Sequence, residues 1–124
     1  MRPLRVAACL LVAAAGCGPD LPPPVEPAEA GTALRAALDA WRAGEPYESL
    51  AAQDPPIVFT EPLWRDGARL VNYELGEVEL HGRQGRCTAR LTLETRGGKS
   101  AERRIGYQID TTPRIVIVRE GLGP

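Results

Sequence analysis

The 124-residue sequence is poor in the residues on which catalytic and metal sites depend. It contains a single histidine, His81, and aromatic residues make up only 5% of it. A zinc site needs three or four ligands, so one histidine predicts no such site, and His81 is interpreted as a solvated loop residue. Gly97-Gly98-Lys99 lacks the length and the following helix of a phosphate-binding loop. The sequence therefore predicts no cofactor or metal and, since no catalytic set is recognisable, no enzyme.

An excess of charge is also missing. The chain has 15 basic and 16 acidic residues, a formal net charge of −1. A nucleic-acid-binding domain usually carries a basic cluster on one face, so nucleic acid is not expected as a partner. The apolar run 6–15 is far shorter than the ~20 residues that span a bilayer.

Residues 1–16 are predicted to be a signal peptide. A positive start with Arg2 and Arg5, a short apolar run and then small residues are typical of a secretory signal. Ala14-Ala15-Gly16-Cys17 resembles the lipobox of bacterial lipoproteins, in which the cysteine is lipidated and becomes the new N-terminus. The resemblance implies export and anchoring to a bacterial membrane, on the periplasmic side or at the cell surface, through lipid on Cys17. Ordinary cleavage near residues 13–15, leaving Cys17 as a free thiol, is the alternative.

Three further segments are predicted: residues 17–30 as the lipidated cysteine and its tether, residues 31–120 as a small α+β domain, and residues 121–124 as a tail. Five prolines between residues 18 and 30 favour an extended polyproline II conformation of ~3.1 Å per residue. A proline-rich ligand for another domain is the alternative interpretation. Cys87 is the cysteine left in the domain, and its place on an apolar face predicts a buried hydrophobe.

Helical periodicity marks residues 32–43. A stripe with helical spacing predicts an amphipathic helix, with Thr32 as its cap and Gly44 at its end. The stripe consists of Leu34, Ala37, Leu38 and Trp41. A second short helix is predicted from Pro46, followed by a short apolar strand at residues 57–59.

The stretch Cys87–Ile109 is predicted to be a β-hairpin, because apolar and polar residues alternate in both arms. Pairing Leu93 with Ile105 keeps the apolar residues on one face and sets Glu94 against Arg104. This register leaves a five-residue loop at residues 97–101.

Two more strands complete the predicted sheet. Residues 70–81 alternate with a phase shift at Gly76-Glu77, which indicates a β-bulge and a curved sheet with Val71 and Leu80 facing inward. Residues 114–119 are apolar on both faces. Val116 and Val118 would point away from the core, so they are predicted to be covered by another segment or by a second copy.

The order of elements resembles that of a small cystatin-like or nuclear-transport-factor-2-like domain. The stretches "ALDAWRAGEPYESL" from Ala37, "DPPI", "LVNYELG" and "IVIVRE" are similar to those of small exported lipoproteins of that superfamily. The resemblance implies an α+β fold, with the N-terminal helix on a curved antiparallel meander of about four main strands and a short one. Enzymes of the superfamily place an Asp/His or Asp/Tyr set between helix and sheet, but here the inward positions are apolar apart from Tyr73 and Tyr107.

Three functions follow from these observations. The first is a membrane-tethered, non-catalytic domain that mediates protein binding or assembly with an envelope protein or with itself, with Val116 and Val118 as its interface. The second is a small-ligand carrier whose pocket, between helix and sheet, is lined by Trp41, Tyr73 and Tyr107. The third is a degenerate enzyme, which would require His81 and a carboxylate to converge in that pocket.

Overall fold

A long helix lies across one face of a curled six-stranded sheet in the computed structural model, which describes residues 23–121. The predicted α+β class is confirmed. The predicted signal peptide, Cys17 and the first residues of the tether lie outside the described residues. The elements are, in chain order, α1 (Pro27–Arg42), a 3-10 helix (Tyr47–Ala52), β1 (Ile57–Thr60), α2 (Pro62–Arg65), β2 (Arg69–Leu75), β3 (Glu79–His81), β4 (Gln84–Glu94), β5 (Ser100–Asp110) and β6 (Ile115–Arg119).

Helix α1 begins at Pro27, so the predicted start at Thr32 is wrong. Proline suits this position because the first helical residue needs no intrahelical N–H bond. The domain extends further towards the N-terminus, since Val25 is buried and its N–H donates to the carbonyl of Arg83 at 3.0 Å. The predicted end of the helix is confirmed, because Gly44 adopts a positive φ of 80° just beyond Arg42.

The predicted apolar stripe of α1 faces the core, and each of its four residues is at most 2% exposed. Small residues bring the start of the helix close to the sheet. A Cβ atom built on Gly85 of β4 would lie 3.2 Å from the Cβ of Ala30. Glycine at this position therefore lets the helix and the sheet touch.

The strands are ordered β1-β6-β5-β4-β2, and β3 also pairs with β4. The pairs that β4 makes with β2, β3 and β5, and the pair of β5 with β6, are antiparallel, as predicted. Strand β1 instead runs parallel to β6, with Ile57 beside Ile115 and Phe59 beside Ile117. This pairing aligns the inward-facing residues of two strands that are far apart in the sequence.

The predicted register of the hairpin is wrong. Ala101, not Ile105, lies opposite Leu93, and the loop spans residues 95–99. Arg103 consequently occupies a position opposite Leu91, on the core side of β5, yet it is exposed. A long arginine stem can cover apolar surface while its guanidinium stays in water, so the charge does not exclude this register.

The irregularity predicted near Gly76-Glu77 is confirmed as a break between β2 and β3, after which the pairing with β4 is shifted by one residue. A second irregularity, between Leu70 and Asn72, was not predicted. It turns Val71 outward, where the side chain is 45% exposed. The predicted inward orientations of Val71 and of Leu80, which is 47% exposed, are therefore wrong.

Candidate functional site

Aromatic side chains fill the space between helix and sheet. Trp41 stacks on Trp64 with ring centroids 5.7 Å apart, and Tyr47 meets the edge of Trp64 at 5.2 Å. Phe59 bridges Trp64 and Tyr107, with centroid distances of 6.1 and 5.4 Å. Five of the six aromatic residues thus form one cluster in the core, where the sequence predicted a pocket.

The three residues predicted to line that pocket lie in different places and have different hydrogen-bond partners. Trp41 is 2% exposed and donates its indole N–H to the carbonyl of Ala68 at 2.8 Å. Tyr107 is fully buried. Tyr73 lies at the rim of the sheet, where its hydroxyl donates to Asp39 at 2.7 Å. Burial, and next the bond to Asp39, raise the pKa of Tyr73. The structure does not bring these three side chains together around a cavity.

Glu61 is the one charged side chain that is buried among residues 23–121. It precedes α2, and its carboxylate accepts from the N–H of Leu63 at 2.9 Å. The hydroxyl of Tyr107 donates to it at 2.5 Å, and a guanidinium nitrogen of Arg119 lies 3.2 Å away. Both carboxylate oxygens therefore have donors, which is the condition under which a buried charge is tolerated.

This network is suited to holding the structure together and unsuited to proton transfer. Burial, and next the charge of Glu61, raise the pKa of Tyr107 far above that of an ordinary tyrosine. The tyrosine therefore stays protonated. Glu61 links the start of α2 to β5 and β6 through Tyr107 and Arg119. No periodic pattern of residues indicates this role, because Glu61 lies between regular elements.

A groove of about 770 Å³ lies beside the first half of α1. Its other wall is formed by the segments that lead into β1 and β6. The lining is mainly apolar and includes Ala33, Ala36, Pro55, Pro56, Ile57 and Ile115. Charged residues at its rim are Glu29, Asp54 and Arg114. The sequence indicated only chain breaks at these prolines, since the groove depends on where β1 and β6 meet.

The groove continues onto the outer face of the sheet through Val58. This residue lines the groove, is 46% exposed and pairs with Val116 of β6. Val118, two residues further along β6, is 38% exposed. We call Val58, Val116 and Val118 the valine surface. Of the two positions predicted to form an interface, Val118 is therefore exposed, whereas Val116 is half-buried.

Cys87 and His81 show no arrangement typical of a reactive site. Cys87 is 1% exposed, its thiol contacts the carbonyl of Gly76 at 3.4 Å, and burial raises its pKa. His81 is exposed at the end of β3. Among residues 23–121, no three histidine, cysteine or acidic side chains come together as a metal site.

Comparison of the chain with known proteins identifies no relative. No family model, curated protein or solved structure matches the chain. None of the helices within residues 23–121 is long and apolar enough to cross a membrane.

Proposed function

We propose that the chain is a membrane-tethered envelope lipoprotein whose α+β domain binds another protein without catalysing a reaction. The supporting observation is the continuous apolar surface formed by the groove and the valine surface. Contiguous exposed apolar area on a small domain is typical of an interaction site, whereas isolated apolar side chains are common and need no explanation.

The valine surface offers a sharp test because the protein has a matched control. Val58 and Val71 are exposed to almost the same extent, 46% and 45%. They lie on the two edge strands, β1 and β2, about 19 Å apart across the sheet at ~4.8 Å per strand. A lysine at either position adds a solvated charge without disturbing the core.

In-cell crosslinking of the tagged protein, followed by mass spectrometry, would identify the partner. We expect Val58→Lys and Val118→Lys to abolish the crosslink to that partner, while Val71→Lys leaves it unchanged. Equal loss for all three variants would indicate a general effect on the fold. Retention in all three would contradict binding at the valine surface.

The tether is tested separately. If lipid on Cys17 anchors the protein, Cys17→Ser should release it from the membrane fraction, and the substitution of Cys87 by serine should not. A Cys17→Ser variant that stays with the membrane would refute lipid anchoring through this residue. It would leave the proposal for the valine surface untouched.

A small apolar ligand is the second candidate, and the size of the groove favours it. Pockets for small molecules commonly enclose about 300–1,000 Å³ with a mainly apolar lining, and the groove falls in this range. Native mass spectrometry of the protein purified from its host would show a bound small molecule. Ala36→Trp, which fills the groove, should remove that molecule, whereas Val118→Lys should not.

A further inference from the structure

Two of the strand edges in this sheet are blocked. Along β1, the hydroxyl of Tyr47 donates to the carbonyl of Phe59, which places the 3-10 helix against that strand. Strand β2 is irregular at Val71, and its neighbour Asn72 is bonded to Arg42 of α1 at 3.4 Å. Bulges and covering segments are common ways of preventing an edge strand from pairing with another chain.

The first half of β5 forms a third edge, and it is open. Strand β6 pairs with β5 only from Tyr107 to Asp110, and the last backbone bond joins the N–H of Glu120 to the carbonyl of Gly106 at 2.8 Å. Alternate residues of an antiparallel strand direct both backbone groups to the same side. Ser100, Glu102 and Arg104 therefore direct their N–H and C=O groups away from β4, like Gly106, but meet no strand in the described part of the chain.

This open edge is also regular. The β4–β5 pairing runs through ten consecutive residue pairs without a shift. Within the open segment, Ala101 is half-buried and the other residues from Ser100 to Arg104 are exposed. A regular, exposed edge of this kind is a template for strand addition.

The charges around the open edge are mostly positive and unsatisfied. The side chains of Lys99, Arg103 and Arg104 make no hydrogen bond or ion pair with any residue from 23 to 121. The acidic residue of the segment, Glu102, is already engaged by Arg90 at 3.5 Å. Arg90 also lies directly opposite Arg104, so Arg104 faces a like charge on one side and an empty edge on the other.

We propose that residues 100–104 of β5 bind an extended acidic segment of a partner protein by strand addition. Acidic side chains opposite Arg103 and Arg104 would supply the opposite-charge cross-strand pairs that the edge lacks. A second copy of the same edge is a poor occupant, because it would bring the basic residues of both copies together. This site is separate from the groove and does not depend on the function proposed for it.

The first experiment measures peptide binding to the purified protein by fluorescence anisotropy. The probe is a fluorescein-labelled eight-residue peptide of threonine and valine with two adjacent glutamates at its centre, since adjacent strand residues point to opposite faces. We expect it to bind, to bind more weakly at high salt, and to lose about two- to fivefold in affinity with Arg103→Ala or Arg104→Ala. A counterpart peptide with lysines in place of the glutamates should not bind. Equal binding of both peptides would overturn the proposal.

A second pair of variants tests the backbone contribution. Glu102→Pro removes an N–H that points to the open edge, and a proline is tolerated at a strand edge. It should weaken binding about fivefold or more relative to Glu102→Ala, which keeps the N–H. If Glu102→Pro does not fold, a probe methylated on alternate backbone nitrogens should fail to bind the unaltered protein.

Three results would refute strand addition at this edge. Full binding of the methylated probe would show attraction by charge alone. Binding only after removal of residues 122–124 would show that the chain itself occupies the edge. Loss of binding in Val58→Lys, with no effect of Arg103→Ala or Arg104→Ala, would place the peptide at the valine surface instead.

Discussion

Removal of the Glu61 carboxylate should be among the most destabilising single changes in this domain. Glu61→Ala leaves the fully buried hydroxyl of Tyr107 without an acceptor and Arg119, whose side chain is 19% exposed, without its partner. Breaking a buried ion pair from one side costs about 3–5 kcal/mol. Tyr107→Phe removes one hydrogen bond to a charged acceptor and should cost less, about 1.5–3 kcal/mol.

The double variant distinguishes a shared network from independent contacts. In the Tyr107→Phe background, Glu61→Ala no longer leaves a buried hydroxyl without a hydrogen-bond acceptor. The combined loss in the free energy of unfolding should therefore be about 1–3 kcal/mol smaller than the two single losses added together. Urea unfolding of the four proteins, followed by tryptophan fluorescence, measures all the terms. If the losses in the free energy of unfolding are additive, or if Glu61→Ala costs less than about 1 kcal/mol, Glu61 does not stabilise the position of α2 on β5 and β6.

Three further outcomes are expected. Because the pKa of Tyr107 is raised above the ordinary value of 10.0, the contribution of this tyrosine to stability is fully present below about pH 10. Above that pH the unfolded chain loses a proton that the folded chain keeps, so the free energy of unfolding falls by up to about 1.4 kcal/mol per pH unit. In Tyr107→Phe, the free energy of unfolding measured in urea should fall less steeply with pH, by up to this amount. Gly106→Ala places a Cβ 2.8 Å from the carboxylate of Glu120. It should therefore lower the free energy of unfolding by up to about 1 kcal/mol. In a Glu120→Ala background it should be neutral or slightly stabilising in the same assay. Thr92 lies opposite Glu102, so Thr92→Cys with Glu102→Cys should form a disulfide on oxidation, while Thr92→Cys with Gly106→Cys should not. Titration of the free thiols measures the outcome. A disulfide in the second pair and none in the first would contradict the observed register.

Helix α1 and the longer strands could be predicted because their periodicity is local, whereas α2 has no such pattern and was not predicted. The stripe of α1 from Leu34 to Trp41 and the inward positions Cys87, Ala89 and Ile105 are all buried as expected. The hairpin register was wrong because the argument assumed that every inward position must be apolar. Arg103 does not obey that rule, since an arginine near the open end of a sheet can extend into water.

The features that depend on distant parts of the chain could not be predicted. The parallel pairing of β1 with β6 joins residues 57 and 115, and no short-range pattern specifies it. The groove exists because of that pairing. Likewise, the network of Glu61 joins residues up to 58 positions apart, as the bond to Arg119 shows. The filling of the expected pocket by five aromatic side chains is a packing result that composition alone does not reveal.

The two proposed surfaces lie at different distances from the start of the domain. Val25 is bonded to Arg83, next to the first residue of β4. The open segment of β5 pairs with residues 90–94 of β4, about 20–33 Å along the strand from its first residue at ~3.3 Å per residue. The residues of α1 that line the groove begin at Glu29, four residues after Val25. If lipid on Cys17 holds the chain, only seven residues separate that anchor from Val25, and the eight residue steps reach at most about 28 Å. The groove can then meet a partner near the membrane, while the β5 edge is placed to meet one farther from it.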